Sequence, residues 1–225
     1  MMTEHPIGSL RLLMRHGKGS HDDGDHGNRG SSSGGRPEWK GGPGRFVGDS
    51  TYEEAADRVD SGLSRQWNRL VRNPEGDFPE SVKAYEAYIG GRGYAMNEEL
   101  RYPGEDRYPQ SARDSAVALE EAIAKAPVTT GDMVVYRGVK SGGGQPTLQS
   151  GDRWTDGGFF STTTSKTQAA EFGDTVYRIG VPKGARAIIG RLDEKEIILQ
   201  AGSEFRVVRG QDDLDGGPIE LDLVL

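Results

Sequence analysis

The chain of 225 residues contains no cysteine. Disulfides, thiolate metal sites, iron–sulfur clusters and thiol nucleophiles are therefore excluded, and the redox compartment stays open. Histidine is nearly as scarce: His5, His16, His21 and His26 are the four, and none follows residue 26. A body without histidine has no Ser-His-Asp triad, no Cys-His pair and no histidine-built metal centre. Its chemistry must run on carboxylates, hydroxyls, arginine or lysine. Hydrophobic residues make up only 33% of the chain. No apolar run approaches the roughly 18 residues of a membrane-crossing helix, and the first residues lack the apolar core of a signal peptide.

Glycine, by contrast, is abundant at 34 residues, and 12 of these fall within the first 48. That stretch has almost nothing apolar after Met14. It cannot offset its ordering entropy by burial, so residues 1–48 read as a flexible Gly/His-rich tail or linker. His16, His21 and His26 alternate with Asp22, Asp23 and Asp25, but glycine-rich chain preorganises no ligand geometry, and no metal is expected. Lys plus Arg minus Asp plus Glu gives 28 − 35 = −7. Residues 1–48 hold 7 basic and 5 acidic residues, leaving 21 and 30 in residues 49–225, a net charge of −9. A nucleic-acid surface would want the opposite sign.

The body changes period part-way. Thr51-Tyr52-Glu53-Glu54 is a capping-box pattern. Ala55, Ala56, Val59, Leu63, Trp67, Leu70 and Val71 then recur at helical spacing until Asn73-Pro74. Further helices are predicted over roughly 80–89, 95–102 and 111–125. After Pro127 the apolar period becomes two. Strands are predicted at 133–136, 175–181, 185–189, 195–199, 205–208 and 219–225, with one short helix opening at Ser165. Helices first and strands second predict an α+β domain, with a helical part over 49–127 and a β-rich part over 128–225.

Three local features carry chemistry. Tyr136-Arg137-Gly138 ends a strand with a guanidinium that can fork onto phosphate, and a glycine that lets backbone approach a ligand. An ordinary surface arginine before a turn is the plainer reading of that feature alone. Phe160-Ser161-Thr162-Thr163-Thr164 supplies consecutive hydroxyls, which both donate and accept; a β-branched strand end with a helix cap would look the same. Glu194-Lys195-Glu196 precedes Ile197-Ile198-Leu199. In extended chain, residues two apart face the same side, so both carboxylates would meet at the start of a buried strand. Paired carboxylates stabilise a sugar cation and activate an incoming nucleophile; a solvated turn of charges is the plainer reading of that feature alone.

In the order Arg, Ser-Thr-Thr, Glu-x-Glu, the sequence resembles the Arg-Ser-Glu class of mono-ADP-ribosyltransferases, which includes clostridial binary toxins, cholera-like toxins and phage enzymes. Ala169-Ala170-Glu171-Phe172, Gly202, Phe205-Arg206-Val207-Val208, and the upstream Tyr88-to-Tyr94 and Asn97-to-Arg101 stretches extend the resemblance over roughly 80–225.

The resemblance implies N-terminal helices followed by a split β-sandwich with a cleft for NAD+, used as substrate without metal. It implies that Arg137 grips the NAD+ phosphates and Gly138 meets the nicotinamide amide. Ser161 would position the catalytic Glu196, while Thr162 and Thr163 line the ribose and Phe172 packs on nicotinamide. Tyr85, Tyr88 and Tyr94 would cover the ligand, with Asn97 on the paired helix. Glu196 would hold the ribose 2′-hydroxyl and stabilise the oxocarbenium ion. Glu194, in place of Gln, implies a target protein with an exposed arginine; that it belongs to a bacterial host is implied by the tail resemblance below. Many toxins carry a second arginine where Gly138 stands, and another where Thr175 stands; Arg178 and Arg186 are the candidate substitutes. The tail resembles linkers of phage minor head proteins, which implies virion association and delivery to host cytoplasm; a secreted effector is the other reading. Water or a nucleic acid as acceptor, and an inert virion structural protein of the same fold, are the competing functions.

Overall fold

The computed structural model describes residues 46, 48–105, 107–140, 146–213 and 217–225. The readings of His16, His21 and His26, and of the tail up to residue 45, lie outside the described residues. Phe46 itself is buried, against Val134, Tyr136 and Ala169.

The capping box at Thr51 and Glu54 forms, and starts α1 (Tyr52–Ala56). The long helical repeat that follows does not make one helix. It breaks before α2 (Gly62–Arg72), because Asp60 bridges to Ile188 and its carboxylate caps Gly62 N–H at 3.1 Å. α3 (Glu80–Ala87) runs into a kinked turn over Tyr88–Arg92, where Gly91 takes φ 107°. α4 (Gly93–Arg101) and α5 (Gln110–Lys125) complete the helical part. Among the described residues no helix is long and apolar enough to cross a membrane.

The β-rich part contains β1 (Met133–Val139), β2 (Arg153–Asp156), β3 (Phe160–Thr163), α6 (Lys166–Phe172), β4 (Thr175–Val181), β5 (Ala187–Ile189), β6 (Glu196–Leu199), β7 (Ser203–Arg209) and β8 (Ile219–Leu223). β2 escapes a periodicity reading, since its four residues carry a charge at each end. The strand order is β2-β7-β8-β4-β1-β3-β6-β5, with β4 and β8 parallel. β1 pairs with β4 through seven residues, Met133 to Val139, but with β3 only at Tyr136 opposite Thr163. The sheet therefore splits beyond Tyr136.

The two halves face each other across one core. Phe160, Ile197 and Leu199 from the short half meet Val135, Tyr177, Phe205, Val207 and Leu221 from the long half. The other face of the short half carries Phe159, Ile188 and Ile198, which pack on Tyr85, Met96, Leu119 and Ile123 of the helices. Each such large apolar side chain contributes roughly 1.5–3 kcal/mol by leaving water. α6 lies so close on β1 that a Cβ at Gly138 would stand 1.7 Å from Ala169 O. This is an α+β split sandwich under a helical layer.

Candidate active site

Strand alternation places Arg137. Met133 and Val135 point into the core between the halves, and Arg137 follows on the same side where the sheet opens. Its guanidinium lies 4.3 Å from the centroid of the Phe160 ring. Nη1 donates to Ser161 O at 3.1 Å, across the gap between β1 and β3. Burial pushes the guanidinium pKa down, and the field of Asp156 opposes that. Asp156 is itself occupied: Arg101 forks onto it at 2.7 and 2.9 Å, and Gly158 N–H donates to it at 2.9 Å.

Ser161 points to the opposite, helix-covered side, where a hydrogen-bond chain ends on it. Asn97 Oδ1 accepts from Phe159 N–H at 2.8 Å, which fixes the amide so that its Nδ2 donates to Tyr88 OH at 3.4 Å. Tyr88 and Ser161 share a 2.8 Å hydrogen bond. With the Tyr88 oxygen already accepting, its proton points to Ser161, and the Ser161 proton is left for Glu196. The Ser161 hydroxyl and Arg191 N–H, the latter at 2.9 Å from Oε2, both hold the Glu196 carboxyl down. Burial is the larger influence and pushes its pKa up, with the charge of Glu194 adding to it. Burial likewise raises the Tyr88 phenol, which keeps its proton for the chain.

Glu196 opens β6, beside Ser161 on the same face, since Ser161 pairs with Ile198 and Thr163 with Glu196. Only 8% of the residue is exposed. Glu194 reaches its place differently from the extended-chain expectation. It sits in the turn between β5 and β6, and Lys195 at φ 50° bends the chain before the strand begins. Glu194 Oε1 lies 3.2 Å from Arg191 Nη1. Its pKa is pushed up by burial; Arg191 opposes and Asp193 reinforces the shift.

Arg137, Ser161, Glu196, Arg191 and Glu194 thus form one continuous run of contacts at the split. The sequence profile of the ADP-ribosyltransferase exoenzyme family matches residues 50–217. The chain belongs to this family.

As an ADP-ribosyltransferase fold it superposes on several solved toxin structures. The C3 exoenzyme of Clostridium limosum gives a TM-score of 0.56 at 15% identity, over 78% of this chain and 100% of that one. Exoenzyme S of Pseudomonas aeruginosa, solved with human 14-3-3 protein beta and carba-NAD, gives 0.54 at 20% identity, over 76% and 85%. C3stau2 of S. aureus with NAD gives 0.50 at 16% identity, over 74% and 98%. No curated protein gives a significant match.

Other residues expected at the ADP-ribosyltransferase site have different surroundings. Thr162 is buried and donates to Ile197 O at 2.7 Å; Thr163 is buried and accepts from Ser165 N–H at 3.1 Å. Both hydroxyls hold the strand and the α6 cap. Tyr85 is fully buried, and its hydroxyl donates to Ile189 O and Gly190 O at 3.1 and 3.0 Å, supporting the turn from inside. Tyr94 is exposed and packs edge-on against Tyr108. Phe172 is exposed at the end of α6. Gly138 lies under α6, so its lack of a Cβ has a packing cause. Neither candidate second arginine joins the site: Arg178 donates to the carbonyls of Phe46 and Gly48, and Arg186 to Ala126 O. A groove of about 1110 Å³ between α3 and α5, lined by Lys83, Arg92 and Asp114 among others, includes none of the site residues. Among the described residues no cluster of three or more His, Asp or Glu is placed to hold a metal.

Sequence reasoning missed Arg191 and Asp156. The signal for Arg191 was present: a cation three residues before Glu194 in a tight turn.

Proposed function

We propose that this ADP-ribosyltransferase moves ADP-ribose from NAD+ to an arginine side chain of a target protein and releases nicotinamide. The observation that carries the reading is the donor chain from Asn97 through Tyr88 and Ser161 to a buried Glu196, with Arg137 joined to the same strand through the Ser161 carbonyl. Arg137 spends one of its five N–H groups on Ser161 O. The others fit a pyrophosphate, whose charge would offset the desolvation of the guanidinium.

Bound NAD+ supplies the ADP-ribosyl group and a good leaving group. Glu196 accepts the ribose 2′-hydroxyl and places negative charge beside the sugar carbon as the bond to nicotinamide breaks. Ser161, Tyr88 and Asn97 keep that carboxylate oriented and act as positioning residues. Glu194 binds the acceptor guanidinium and takes the proton it loses when its nitrogen bonds to the sugar carbon. The half-buried carboxylate already holds a guanidinium, that of Arg191, which supports arginine as its natural partner. Phe172, exposed at the end of α6, would pack on nicotinamide. Action as a toxin-like effector on a host protein is in keeping with the family; the bacterial-host and virion readings rest on tail residues outside those described.

The test uses labelled NAD+ with agmatine and with a bacterial lysate, beside Glu196→Gln and Glu194→Gln. Wild type should form ADP-ribosyl-agmatine and labelled protein, and Glu196→Gln neither. Glu194→Gln should lose transfer and keep some hydrolysis. Free nicotinamide without any labelled acceptor would assign a glycohydrolase, label in RNA a nucleic-acid acceptor, and no NAD+ consumption an inert protein.

A further inference from the structure

The turn between β5 and β6 holds a cation that the reaction above leaves unused. Arg191 gives its backbone N–H to Glu196, and its guanidinium to two other acids. Nε and Nη2 donate to Asp193 at 3.3 and 2.8 Å, while Nη1 lies 3.2 Å from Glu194 Oε1. The left-handed Lys195 closes the turn that brings residues 191 and 194 together. So the carboxylate that should receive a target arginine already carries one from its own chain.

We propose that Arg191 is a specificity-determining latch: it fills the acceptor's seat on Glu194 until another guanidinium displaces it. This rests on the arginine-acceptor reading. The exchange is like for like, one guanidinium–carboxylate pair lost and one made, so an arginine substrate meets little net opposition. The side chains of Arg191 and Glu194 remain 39% and 29% exposed, so water assists the exchange and the incoming group has access. Asp193 keeps two hydrogen bonds to Arg191 after displacement, so the released cation stays neutralised. Water and other neutral nucleophiles bring no cation to exchange. Against them Glu194 stays engaged and is a poor base. The latch therefore favours transfer over wasteful hydrolysis of NAD+.

The experiment measures steady-state transfer to agmatine, and NAD+ hydrolysis without acceptor, for wild type, Arg191→Gln and Arg191→Lys. Arg191→Gln should lower the agmatine KM about threefold to fivefold, as expected for losing a partly solvated competing ion pair, and raise acceptor-free hydrolysis by a similar factor. Arg191→Lys keeps a cation in the turn and should shift both quantities in the same direction by less; it carries the test if the Gln variant fails to fold. A merely structural arginine would have the opposite signature, with transfer and hydrolysis falling together. That result, or an unchanged agmatine KM, overturns the latch. Wild type that makes no ADP-ribosyl-agmatine overturns the arginine-acceptor reading instead, so the two failures are distinct.

Discussion

The carboxylates that bind the helical layer and the one at the start of β6 are buried to similar depth and are partnered in opposite ways. Glu99, on α4, is 5% exposed and receives Arg113 at 2.9 Å and Tyr108 N–H at 3.2 Å. Asp156 is 7% exposed and takes a two-pronged Arg101. Glu196, at 8%, is held by a backbone N–H and a serine hydroxyl, both neutral donors. Arg137 is its mirror image, resting on a ring and a carbonyl. Among the described residues it forms no ion pair. Charges that complete the fold come with their counter-charges; Glu196 and Arg137 rest on neutral partners, the pattern expected of groups that meet a ligand.

Four substitutions or conditions can break that contrast. Glu196→Gln should have the largest effect, cutting nicotinamide release by about 10²–10³-fold while leaving the melting temperature unchanged or higher. Chromatography of nicotinamide and scanning calorimetry read the two quantities. A lower melting temperature would place Glu196 with Glu99. Arg113→Ala should do the converse. Stranding Glu99 should cost about 2–3 kcal/mol in urea unfolding, below the fully buried range because Arg113 is part exposed, with activity per folded molecule kept. Arg137→Lys retains the charge but loses the fork, and should reduce kcat/KM for NAD+ about tenfold to thirtyfold.

The smallest effect is in pH. The fold raises the Glu196 pKa, so it favours the protonated acid. That advantage is full below the ordinary carboxylate range and fades as pH climbs through the raised value. The melting-temperature difference, Glu196→Gln minus wild type, should accordingly grow from acid to neutral pH. A difference that shrinks over that interval would mean the carboxylate is stabilised in place. The acidic limb of the rate profile should likewise sit above an ordinary glutamate's.

Local chemistry was legible where a local cause was sufficient. The Thr51 capping box starts α1, Asn73-Pro74 ends α2, and the alternation over residues 175–181 gives β4 its observed limits. That Arg137, Ser161 and Glu196 come together was legible because a guanidinium, a hydroxyl and an acid in that order are costly to bury without partners. What failed depended on partners distant in sequence. The helical repeat after Ala56 breaks because Asp60 docks on Ile188, over a hundred positions away. Thr162 was expected to line a ribose, but Ile197 O takes its proton. Tyr85 was read as a lid, yet it supports the turn from below, and only the packing of α3 under β5 reveals that. The turn geometry at Lys195 had no glycine to announce it.

One vacancy in the covalent structure sets the terms for the acid. At Gly190 a methyl group would come within 2.3 Å of Glu196 Oε2. Residue 190 therefore has no silent replacement: even alanine, the mildest available, would evict the carboxylate or push β5 off its neighbour. The smallest side chain in the turn sets the address of its most consequential one.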